Sequence, residues 1–136
     1  MEDESRAGAF ERRELAITAE LERLSEAREF AHAVADELGF DDNDCYAIKL
    51  AMSEGVANAV LHGSEPGDPI TLSALIDGDL LVFEVVDTGQ FVPRVAPPDE
   101  FAESGRGLDF VGALMDEVDL TPGPGGTVLR FAMRRA

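Results

Sequence analysis

Between Asp41 and Gly63 the chain sorts its residues into three rows, each at a spacing of four. Ile48, Met52, Val56 and Val60 form an apolar row. Ala51, Gly55 and Ala59 form a row of small residues, and Leu50, Glu54, Asn58 and His62 a mostly polar one. Residues four apart share one side of an α-helix, because each such step overshoots a full turn by only about 40°. The pattern predicts a long helix ending at about His62 or Gly63. One side is for the core, one permits close approach of another backbone, and one is polar. Asp41-Asp42-Asn43-Asp44 offers several N-caps, and acidic residues suit a helix start.

The remaining segments fit around that helix. Leu15 and Ile17 predict a first strand over residues 11–18, behind a flexible tail of residues 1–10. Residues 19–38 turn helical: Leu21, Leu24, Arg28 and Ala31 follow one stripe, Phe30, Val34 and Leu38 another, and Gly39 stops the helix. Ile70, Leu72, Ala74 and Ile76 alternate as a strand, Asp77-Gly78 suits a tight turn, and Leu81, Phe83, Val85 and Asp87 line one face of the next strand. Residues 89–107, rich in Pro, Gly and charge, make a loop too long for a routine connection. A helix over 108–115, a short strand at Val118 and Leu120, a turn from Pro122 to Gly126 and a last strand over 127–133 complete the chain. The order β-α-α-β-β-α-β-β predicts an α+β domain over residues 11–136, with an antiparallel or mixed sheet and helices on one face.

Charge narrows the function. The formal net charge of −17 repels phosphate backbones, which argues against direct nucleic-acid binding. It attracts a basic protein partner, and it equally suits a plain solvated surface. No apolar run reaches the roughly 20 residues of a membrane span, and the acidic start Met1-Glu2-Asp3-Glu4 is unlike a secretory signal. With a single cysteine, Cys45, these features lead to the expectation of a cytoplasmic protein.

Three places carry possible chemistry. Glu54, Asn58 and His62 put a carboxylate, an amide and an imidazole on one strip. The carboxylate can accept a proton, and the amide oxygen is a hard ligand suited to Mg²⁺. A solvated helix face carries the same residues. Asp87-Thr88-Gly89 ends a strand at the mouth of the long loop, where the aspartate can accept a hydrogen bond from an amine and Gly89 admits a ligand close to the backbone. An ordinary strand-ending turn reads alike. Gly105-Arg106-Gly107 precedes a helix, so its N–H groups and the Arg106 guanidinium suit phosphate oxygens, though plain turns share that pattern.

Order and spacing join these pieces. The stretch AMSEGVANAVLHG at residues 51–63 resembles the N box of the anti-sigma-factor serine kinases, members of the GHKL or histidine-kinase-like ATPases. FEVVDTG at 83–89 resembles their first glycine motif, SGRGLDFVGALMDEVD at 104–119 their second, and Gly125-Gly126-Thr127 their closing Gly-Thr. The resemblance implies a two-layer α/β sandwich of the Bergerat type, with a mixed, mostly antiparallel sheet and about three helices on one face. It implies ATP or ADP with Mg²⁺ as cofactors. Glu54 would be the general base or orient the attacking hydroxyl, and Asn58 would coordinate Mg²⁺. Asp87 would bond the adenine amino group, supported by Thr127 through a water, and Gly89 would make room for the base. Gly105 and Gly107 would bring the loop backbone to the phosphates, with Arg106 and Leu108 in the same segment. His62 is expected to be structural or to touch a lid formed by residues 90–104. The implied function is an ATP-dependent serine kinase that phosphorylates an anti-sigma-factor antagonist, sequesters a sigma factor and forms a homodimer. Gln90-Phe91-Val92-Pro93 departs from the family pattern after the first glycine motif. That departure keeps open a catalytically silent nucleotide-binding switch, and a free-standing histidine-kinase-type ATPase domain is a further alternative.

Overall fold

A computed structural model describes residues 10–63, 65, 67–87, 112–123 and 126–135. Strands β1 (Phe10–Thr18), β2 (Pro69–Asp77), β3 (Leu80–Asp87), β4 (Glu117–Gly123) and β5 (Gly126–Arg134) form a five-stranded sheet in the order β1-β2-β3-β5-β4. Every pairing among these strands is antiparallel. Helices α1 (Leu24–Glu37) and α2 (Asp42–Asn58) cover one face, and residues 112–114 are helical ahead of β4. This is an α+β two-layer sandwich, the fold class expected from the order of elements.

The core follows from alternation. On β2, Ile70, Leu72, Ala74 and Ile76 are buried; in register with them on β3 and β5 are Leu81, Phe83 and Val85, then Met133, Phe131 and Leu129. Ile48, Met52 and Val56 of α2 close over these side chains, as their row predicts, while Val60 is half-buried. Phe83 stacks on Phe131 at 5.5 Å and meets Phe30 of α1 edge-on at 6.3 Å, geometries that favour aromatic pairs.

Local chemistry sets the element ends. Asp41 caps α2 by accepting the Asp44 N–H at 2.8 Å. Helix α1 ends with Gly39 at φ +90°, the Phe40 N–H bonding Ala35 O and the Gly39 N–H bonding Asp36 O, the pair that defines a Schellman stop.

Several expected boundaries move. Residues Leu21–Arg23 form a 3₁₀ turn, so α1 begins only at Leu24. The Ala19 N–H is held by Asp68 O, which fixes the chain there and leaves Leu21 half-exposed rather than on the core stripe. The first hairpin loop is Gly78-Asp79, one residue later than expected, because Asp77 pairs with Leu80. Gly78 has φ +63° and Asp79 does not have a positive φ, the pattern of a II′ turn. Strand β4 runs through Pro122, which is tolerated because β4 is an edge.

Candidate functional site

The register of β3 and β5 sets Asp87 opposite Thr127, with Ile70 of β2 on the other side of Asp87. Both polar residues lie on the helix-covered face, one step beyond the apolar pair Val85–Leu129, and both are buried, at 3% and 7% exposure. A carboxylate in such a place is costly unless polar groups meet it.

Helix α2 brings the second half of the site. Gly55 faces the Val85–Leu129 pair, and Asn58 follows within one turn. Residues Ala59–Gly63 continue as a π-helical turn that packs against β3 and β5. Such turns, with i→i+5 bonds, concentrate at functional sites. The α-helical spacing that set His62 in line with Glu54 and Asn58 therefore stops at Asn58. The His62 side chain lies outside the described residues, as do Gly89, Gly105, Arg106, Gly107, Leu108 and the whole of 90–104.

The donors and acceptors left over point to a ligand. Asn58 Nδ2 and Thr127 Oγ1 are buried with no hydrogen-bond partner among the described residues. Buried polar atoms are nearly always bonded, so two such atoms on α2 and on the adjoining strand β5 fit a polar molecule better than a sealed core. Among the described residues no cluster of His, Cys, Asp and Glu suits a metal on its own.

One contact beside the site was not legible in the sequence. Arg28, read as part of a helical stripe, donates from α1 to the Ser53 hydroxyl at 3.3 Å, next to the half-buried Glu54. Cys45 is buried, and its thiol is pushed up by burial first and then by Asp36, Asp42, Asp41 and Asp44, which makes it a poor nucleophile. A groove of about 340 Å³ lies at the far end of the sheet, lined by Leu80, Asp116, Glu117, Ala132, Arg134 and Arg135. It shares no residue with the site, and its arginines are engaged with Asp79 and the Leu38 carbonyl.

A helix-backed antiparallel sheet with buried polar side chains at the ends of β3 and β5 is the arrangement that the sequence resemblance implies. The family profile described as the histidine kinase-like ATPase domain matches residues 17–133, and the chain belongs to that family. An anti-sigma F factor from a Thermoanaerobacter species is 31% identical over 87% of this chain and 90% of its own length. The serine-protein kinase RsbW of Bacillus mycoides is 31% identical over 88% of this chain and 83% of its own. Among solved structures, the RsbU and RsbW domains of a Mycobacterium tuberculosis protein match with a TM-score of 0.72 at 26% identity, covering 92% of this chain and 32% of that one. No helix among the described residues is long and apolar enough to cross a membrane.

Proposed function

We propose that this protein is an ATP-dependent serine kinase of a partner switch, which phosphorylates a serine on a small antagonist protein and otherwise holds a sigma factor. The observation that carries the reading is the buried cross-strand pair Asp87–Thr127, together with Asn58 Nδ2 and Thr127 Oγ1 that have no hydrogen-bond partner among the described residues. The relatives' names, anti-sigma F factor and serine-protein kinase RsbW, support the partner and reaction classes.

Each residue has a task in this reading. Asp87 accepts a hydrogen bond from the exocyclic amine of adenine, and the Thr127 hydroxyl completes that end of the pocket. Asn58 turns its amide oxygen to Mg²⁺. Gly89 gives the base room, while Gly105, Arg106, Gly107 and Leu108 form the phosphate-facing segment. When bound, Mg-ATP supplies the phosphoryl group and the counter-charge for its transfer. Glu54 takes the proton of the seryl hydroxyl or holds that hydroxyl in line. The protein works in the cytoplasm as a homodimer.

The test is incubation with Mg²⁺ and ATP labelled in the γ-position, together with candidate antagonist proteins. Label on an antagonist serine is the expected result. ATP binding without label on any antagonist would favour the silent switch, the alternative prompted by Gln90-Phe91-Val92-Pro93. Absence of nucleotide binding by calorimetry would end both.

A further inference from the structure

We infer that Gly55 is a positioning residue of the nucleotide site: its missing side chain sets how closely the helix carrying Glu54 and Asn58 approaches the strands carrying Asp87 and Thr127. The inference rests on the nucleotide-site reading above. Glycine is a poor residue for the middle of a helix, and the backbone at Gly55 has no positive φ that would require it. Its reason lies in packing. A Cβ built at Gly55 would stand 2.7 Å from Leu129 Cδ2, 3.5 Å from Val85 Cγ2 and 3.9 Å from Phe131 Cε2. Carbon atoms rest at about 3.5–4.0 Å, so the first contact calls for a shift of about 1 Å.

Two responses can relieve that contact. The Leu129 methyl can swing aside, but Leu129 is 3% exposed, with Val85 and Leu120 as its cross-strand neighbours, and close-packed interiors leave little room. Otherwise α2 lifts from the sheet. Asn58 lies within one turn of Gly55, and Asp87 and Thr127 stand two residues along their strands from Val85 and Leu129, so the lift opens the gap the nucleotide must bridge. Binding constellations hold their geometry to about 0.5 Å, so a shift of that size is felt as lost affinity. Folding is affected less, because alanine improves the helix while it strains the contact.

The experiment compares the full chain with Gly55→Ala, Leu129→Val and the double variant, measuring Mg-ADP affinity by calorimetry and thermal unfolding without nucleotide. Valine has no δ-carbon, so it removes the atom that a Cβ at position 55 would strike. Gly55→Ala is expected to stay folded and to lose roughly tenfold or more in affinity, since a shift of about 1 Å exceeds the roughly 0.5 Å tolerance of a binding constellation. Leu129→Val alone is expected to bind like the parent, and the double variant to recover to within about threefold of it, because neighbouring substitutions couple. Parental affinity in Gly55→Ala, or a folded double variant as weak as the single, overturns the inference. Should Gly55→Ala unfold, the double variant decides: parental affinity supports positioning, and weak binding by a folded protein overturns it. A parent protein that binds no Mg-ADP removes the site reading and this inference together.

Discussion

The Thr127 hydroxyl has a cost in the nucleotide-free protein that a ligand can offset. A buried hydroxyl without a partner is unfavourable by roughly 1–3 kcal/mol, and Thr127 Oγ1 has no partner among the described residues. Thr127→Val is therefore expected to leave the free protein as stable as the parent or more so, while weakening nucleotide binding. Thermal melts with and without Mg-ADP read both effects, and a variant whose two melts match the parent's would take Thr127 out of the site. Asp87→Ala should cost about 1–3 kcal/mol of nucleotide affinity by leaving the base amine unpaired; unchanged calorimetry would rule out Asp87 as the anchor. Glu54→Gln keeps the shape and loses the basicity, so it is expected to bind nucleotide while phosphoryl transfer falls by about 10²–10⁴-fold. Transfer at the parental rate would make Glu54 structural. Glu54, Asn58, Asp87 and Thr127 were all legible as polar residues at motif positions. The burial and pairing of Asp87 with Thr127 were not, because 40 residues of sequence separate them and only the sheet register joins them.

Helix α2 was legible as an element because its rows are sorted by size and polarity, and three core members, Ile48, Met52 and Val56, are fully buried. Its first turn contains a titratable strain. Burial raises the Asp44 carboxyl first, and the Asp41 and Asp116 charges raise it further. A carboxyl with a folded pKa above its unfolded value binds more protons in the folded state, so its contribution to stability falls as pH rises through the interval between the two. That interval opens at the ordinary aspartate value of about 3.9 and extends upward. Asp44→Asn is expected to gain stability relative to the parent at pH 7 and to lose that advantage below about pH 4. Denaturant midpoints at the two pH values check it, and an advantage independent of pH would assign the effect to something other than titration. The end of α2 was less legible. Nothing in AVLHG marks a switch from i→i+4 to i→i+5 bonding, because that choice depends on how residues 59–63 meet β3 and β5.

At the scale of the whole molecule, the net charge of −17 and β1, an edge strand among the described residues, pull in opposite directions. An unpaired edge is a template for a second copy, and two strongly acidic chains repel until salt screens them. Arg12 and Arg13 of β1 are the basic residues nearest to that edge. Both are already engaged within their own chain: Arg12 with Glu14 and the Ser73 hydroxyl, Arg13 with Glu37 and Glu11. Screening must then come from solution ions. Homodimerisation is accordingly expected to strengthen from low to high salt, measured by sedimentation. A strict monomer at both salt concentrations, with and without nucleotide, would leave the homodimer unsupported.

Local physics decided much of this protein from its sequence. Alternation at Ile70, Leu72, Ala74 and Ile76 fixed which face of β2 is buried, because strand side chains point to opposite sides in turn. Asp41 and Gly39 marked helix ends because a side-chain acceptor and a left-handed residue satisfy terminal backbone groups wherever they occur. The GHKL-type motifs singled out residues on α2 and at the ends of β3 and β5. What the tertiary structure alone decided depends on distance between segments: the order β1-β2-β3-β5-β4, the Asp87–Thr127 pairing, the Arg28–Ser53 bond and the fit of Gly55 against Leu129. Each joins residues far apart in the chain, and no local preference encodes which of many compatible partners a buried side chain will meet.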